Sequence, residues 1–229
     1  MLPAALFEPR AACIGGSHRL YCAANDGVNA LACEHSMGLS VLVLGLLVFL
    51  ATHVFVSMRG ARAAAIARVG LNGYRVLFSL VSIGGLVLIV WGFAHYRAFE
   101  WIDVWSPPAF TRHITVTLMF FAVIFMTAVF FPSHVKARLK YPMLASVKTW
   151  ALAHLISNGD LGSILLFGTF LAWGVFARIS AKKRSDEVMP VAPAGYTNDI
   201  IVVVLGIVIY LALGFVFHPI FIGVPVFGH

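Results

Sequence analysis

Residues 39–57 run for 19 positions without an Asp, Glu, Lys or Arg, and this run restricts the fold more than any other feature. As an α-helix it is about 28 Å long at 1.5 Å per residue, close to one hydrocarbon thickness of a bilayer. Composition extends the inference to the whole chain. Of 229 residues, 61% are hydrophobic and only 11% charged, and the mean hydropathy of +0.94 lies far from that of a soluble globular domain. The fold class is therefore all-α, an integral membrane bundle of about six transmembrane helices.

The remaining spans fall at 76–94, 113–131, 143–157, 162–177 and 200–217. Gly84-Gly85 allows close helix approach in the second, and Trp91 sits where an indole prefers the membrane boundary. Pro132 ends the third, because its ring cannot continue the hydrogen-bonded ladder cheaply. The fourth is short and carries Lys148, which must snorkel toward the basic side, so a helix shielded by its neighbours suits it. Asn158-Gly159-Asp160 makes a tight turn into the fifth, and His218-Pro219 breaks the sixth. Between spans one and two, Arg59, Arg62 and Arg68 on an Ala-rich background read as an interfacial helix or turn. Trp101, Trp105 and Pro107-Pro108 place the 95–112 connection along the membrane surface. No internal repeat is strong enough to indicate an inverted-repeat transporter.

Residues 1–36 mix Gly, Ser, Asn and scattered charges without a periodic apolar face, and read as a disordered tail. Met37 starts a self-sufficient membrane domain over 37–229, so the tail is expected to be an upstream-start extension. Its Cys13, Cys22 and Cys33, with His18 and His35, are too irregularly spaced to argue for a disulfide framework or a metal site.

Charge gives the orientation. The net charge is +7, but the cations are not interleaved with exposed aromatics along a groove, so a nucleic-acid partner is not expected. The connections after spans one, three and five, with Lys148, hold twelve basic residues, against two after spans two and four. By the positive-inside rule the first set is cytoplasmic and both termini lie on the other side.

Two histidines, His53 and His154, lie within spans. In hydrocarbon an imidazole must face a partner, a cofactor or water. Two neutral imidazoles from different helices can hold a haem iron inside a bundle; alternatively each hydrogen-bonds a neighbouring helix. His95, His113, His134 and His218 stand at boundaries or in loops and read as polar boundary residues, with His113 kept as a further candidate ligand or hydrogen-bond donor. One check is unfavourable: counted from the cytoplasmic boundary, His53 is about 6 Å deep and His154 about 15 Å.

Several ordered motifs resemble the NnrU family: Thr52-His53 at the end of span one, Gly73-Tyr74-Arg75-Val76-Leu77-Phe78-Ser79-Leu80-Val81-Ser82, Trp105-Ser106-Pro107-Pro108 with Thr111-Arg112-His113, Lys136-Ala137-Arg138-Leu139-Lys140-Tyr141-Pro142-Met143-Leu144, and Leu152-Ala153-His154-Leu155-Ile156-Ser157-Asn158-Gly159. The likeness covers roughly residues 37–183. It implies a multi-span protein of the bacterial inner membrane associated with nitric oxide metabolism and denitrification. It also implies kinship with the plastid 15-cis-zeta-carotene isomerase, whose haem b is held by histidines in motifs that match at His53 and His154. Where relatives commonly carry Arg-His-Pro, this chain has Lys140-Tyr141-Pro142, which removes one possible ligand. The resulting expectation is haem b on His53 and His154, with an apolar or nitrogen-oxide ligand. The rivals are a haem-dependent polyene isomerase and a non-enzymatic assembly or transport component.

Overall fold

A computed structural model describes residues 37–183 and 189–227, so the expectations for residues 1–36 lie outside it. The described residues form seven α-helices and two short π-helical segments. The helices are α1 (Met37–Ser57), α2 (Arg59–His95), α3 (Thr111–Thr127), α4 (His134–Leu139), α5 (Pro142–Ser157), α6 (Leu161–Lys182) and α7 (Thr197–Ala212). The π segments, Tyr96–Glu100 and Leu213–Ile222, extend α2 and α7. The long helices pack side by side in the order α2, α1, α6, α5, α3, α7. The outer pair, α2 and α7, expose most of their apolar side chains, whereas α5 in the interior of the row exposes only Met143 and Leu152. That placement shelters Lys148, whose methylene stem fills the space left by Gly174 on α6.

Among the described residues four helical stretches are long and apolar enough to cross a bilayer: Met37–Ser57, Arg59–Glu100, Leu161–Lys182 and Thr197–Ile222. The expected third and fourth spans are helices, but α3 has 17 residues and α5 has 16, at the short limit of the roughly 17–25 residues that cross a bilayer. Conversely, α2 would measure about 56 Å if straight, well beyond one hydrocarbon thickness. It is not straight. Gly70 adopts φ 74° and ψ 164°, a conformation side-chain-bearing residues avoid, and divides an interfacial piece (59–69) from a spanning piece (71–95).

Two expected boundaries move. The third span stops at Thr127, before Pro132, because residues 128–130 close a turn on the carbonyls of Ile124, Met126 and Thr127. The basic loop that follows contains α4, capped by the Ser133 side chain accepting from Lys136 N at 3.2 Å. Nor does the chain break at His218-Pro219. The wider π turn carries the helix through Pro219, which has no N–H to contribute, and ends at the left-handed Gly223.

Helix α1 docks on α2 through glycines. A Cβ on Gly92 would stand 2.4 Å from Leu42 N, and one on Gly45 2.6 Å from Ile89 N. Such close approach is how helices gain van der Waals contact where lipid offers no hydrophobic drive. At the rim, the buried Glu100 carboxylate accepts from the first backbone N–H groups of α1, Gly38 at 2.6 Å and Leu39 at 2.9 Å. The Tyr96 hydroxyl accepts from Ile102 N, and Gly162 at the start of α6 leaves space for the Tyr96 ring. Gly159 similarly lies too close to the Trp105 carbonyl for any side chain. The α1, α2 and α6 ends are thereby locked, and that lock fixes α5 beside them.

Candidate functional site

His154 sits on α5, facing Phe167 of α6 at 4.7 Å between ring centroids, with Trp150 one turn earlier at 5.6 Å. Its other ring neighbour is His218 of the terminal π segment, at 6.3 Å and an interplanar angle of 24°. Both imidazoles are oriented by their own helices: Nδ1 of His154 lies 3.0 Å from Trp150 O, and Nδ1 of His218 lies 3.1 Å from Leu213 O. A carbonyl oxygen only accepts, so in the neutral ring Nδ1 carries the proton and Nε2 keeps its lone pair. The pair therefore presents two potential donor nitrogens from two elements.

Between α3, α5 and the terminal segment lies a cavity of about 60 Å³, lined by His154 and His218 with Thr115, Val116, Met119, Val123, Tyr210, Leu213, Gly214 and Val226. Its hydroxyls are already committed: Thr115 donates to Ala153 O at 2.9 Å and Tyr210 to Val116 O at 3.0 Å. What remains is an apolar space with two imidazoles at its edge.

His53 occupies different surroundings. Its ring stacks on Phe49 at 4.1 Å, with Phe78 at 5.3 Å and Trp173 at 5.6 Å, and its Nδ1 lies 2.7 Å from Phe49 O. Along ring contacts, the route from His53 to His154 passes through Phe49, Phe170 and Trp150. The structure thus brings His154 beside His218 and gives His53 an aromatic cage of its own. His113 is exposed in the first turn of α3 and does not line the cavity.

His218 was the residue sequence reasoning passed over, since a histidine before proline reads as the end of a span. The signal was present: Ile220-Phe221-Ile222 continues the apolar run beyond it. Two buried carboxylates were also missed as structural anchors. Glu100 has His95 Nδ1 3.3 Å from its Oε1. Asp160 is fully buried, with Oδ1 accepting from Ser163 N at 2.8 Å and Oδ2 without a hydrogen-bond partner.

The donor chemistry narrows what this site could hold. No cluster of three or more His, Cys, Asp or Glu side chains exists among the described residues, whereas a bare transition-metal ion ordinarily needs more protein donors than two. A haem iron needs only axial ligands from the protein. His154 and His218, with ring centroids 6.3 Å apart, are the residues that would hold such an iron. The donors fit; the present space does not, since about 60 Å³ is far below the several hundred Å³ of pockets for large ligands.

Fold and site together define an all-helical membrane protein with two histidines, His154 and His218, at the edge of one apolar cavity. The family model described as NnrU protein matches residues 41–226, most of the chain, and the chain belongs to the NnrU family. No curated protein and no solved structure matches it.

Proposed function

We propose that this NnrU-family membrane protein binds haem b, which His154 and His218, in place of the His53 expected from sequence, would hold. The observation that carries the reading is the ring pair at 6.3 Å, with both Nδ1 atoms against backbone carbonyls. Bound there, haem would supply a redox-active iron able to take nitric oxide, and the family resemblance connects the protein to nitric oxide metabolism and denitrification. The chain's own contribution is to fix both imidazoles in one tautomer and to surround them with apolar walls that keep water out. The proposal places the protein in the bacterial inner membrane. The short helices α3 and α5 complete a six-pass layout, and both termini are non-cytoplasmic, as the distribution of basic residues favours.

The test is hemin titration of the purified full-length protein. Wild type is expected to take up one equivalent with a sharp Soret band. His154→Ala and His218→Ala should each lose most of the affinity, while His53→Ala keeps it. A chain that ignores hemin, or one in which His53→Ala alone abolishes uptake, overturns the proposal.

A further inference from the structure

Beyond the π segment Leu213–Ile222 the chain turns back on itself. Gly223 takes φ 73° and ψ 16°, a left-handed conformation that glycine adopts freely, and residues 224–227 then return toward the segment they leave. Phe227 lays its ring on Gly214, which has no Cβ to obstruct it, and against Phe215 at 4.7 Å and Tyr210 at 5.6 Å between centroids. Val226, beside it, forms part of the wall of the cavity at His154 and His218.

These residues also reach across to a second helix. Arg112, in the first turn of α3, donates from Nη2 to Val226 O at 2.8 Å and to Pro225 O at 3.4 Å, so residues 223–227 bridge the π segment and α3, two of the elements between which the cavity lies. Arg97 steadies the start of the bridge, its Nη1 donating to Ile222 O at 3.4 Å.

What holds the bridge is slight. Residues 223–225 are exposed and Val226 and Phe227 only half-buried. Both arginines make their bonds at exposed positions, where water competes for the same carbonyls. A stretch with few buried apolar contacts and exposed hydrogen bonds opens locally far more readily than a core helix. The opposite wall is firm: His154 stands on α5, in the interior of the helix row, against Trp150 and Phe167.

We infer that residues 223–227 are a strap that gates the cavity, and that a small apolar molecule reaches His154 and His218 between α3 and the π segment when Phe227 leaves Gly214. Apolar character follows from the lining, whose hydroxyls are already committed to carbonyls. The strap is tied to the second imidazole residue directly, by Val224 N donating to His218 O at 3.3 Å. The inference concerns access alone and does not depend on haem, so it is tested on haem-free protein.

Val123, which is buried and lines the cavity, is replaced by Cys in full-length protein whose Cys13, Cys22 and Cys33 are changed to Ser. Modification by N-ethylmaleimide in mild detergent is followed by intact-protein mass spectrometry. Labelling is expected to be slow with the strap intact. Because it follows the population of the open form, Phe227→Ala should raise the rate roughly 10- to 30-fold and Arg112→Gln roughly 3- to 10-fold. Phe221→Ala, which removes an exposed ring of the same segment away from the cavity, should leave it within about twofold. An unchanged rate in Phe227→Ala, or equal acceleration by Phe221→Ala, overturns the inference. Equal acceleration of a thiol at Leu46→Cys, a buried position on α1 outside the cavity, also overturns it, assigning the effect to general loosening. If Phe227→Ala does not fold, Arg112→Gln is read in the same way, with an unchanged rate as the contrary result.

Discussion

Replacing Glu100 by Gln tests whether the rim lock holds the hairpin of α1 and α2 together. The carboxylate, with only 2% of its side chain exposed, accepts from Gly38 N at 2.6 Å and Leu39 N at 2.9 Å, two N–H groups that α1 cannot satisfy internally. Glutamine keeps one acceptor oxygen but turns an NH2 group toward the other donor. The retained bond loses its charge assistance, worth about 1 kcal/mol, and the other N–H is left buried and unpaired, at a cost of about 1–3 kcal/mol. The expected destabilisation is therefore roughly 2–4 kcal/mol, larger than a helix cap alone provides. Titration from mild detergent into SDS, followed by tryptophan fluorescence and far-ultraviolet circular dichroism, measures it as an unfolding transition at lower SDS fraction. His95→Ala, which removes only the neighbour at 3.3 Å, should shift the transition less. A Glu100→Gln transition within about 0.5 kcal/mol of wild type would refute the reasoning, because surface substitutions alone reach that size.

The paired glycines at 84 and 85 and the related Gly92 separate close packing from helix propensity. Gly92→Ala places a Cβ 2.4 Å from Leu42 N, so α1 and α2 must part by about 1 Å, at a cost of about 1–3 kcal/mol in the same SDS titration. Gly84→Ala meets nothing within 4 Å and should be neutral or slightly stabilising; equal losses at the two positions would contradict the packing geometry. At the start of α6, Asp160→Ala removes the cap on Ser163 N and should cost about 0.5–2 kcal/mol, while Asp160→Asn, which retains an acceptor, should cost less. Equal losses in the two variants would show that the carboxylate's charge, not its hydrogen bond, is what matters there.

Much of the fold was legible because hydrocarbon allows so few backbone arrangements. All six expected stretches are helical over most of their length. The number of full crossings was harder to read. Helices α3 and α5 are bounded by local chemistry, a turn at residues 128–130 and the proline at the start of α5, and a hydropathy window does not resolve such boundaries. For the site, depth within an apolar segment makes His154 a candidate, and the structure places it at the edge of a small cavity. An intramembrane position and a match to the family motif pair that residue with His53. The roughly 9 Å difference in expected depth already opposed the pairing, and the structure gives each ring its own neighbours. His218 was hidden by a rule that usually holds, that proline ends a helix; the π turn at Leu213–Ile222 is the exception that brings this histidine to the cavity.

The most direct measurement of the proposed iron site is electron paramagnetic resonance of the ferric, haem-loaded protein. Two axial imidazoles on one iron predict a low-spin spectrum in wild type and in His53→Ala, converting to high spin in His218→Ala as one ligand is lost. A low-spin signal that survives His218→Ala but disappears in His53→Ala would contradict the pairing, and a preparation with no haem iron at all would contradict the site.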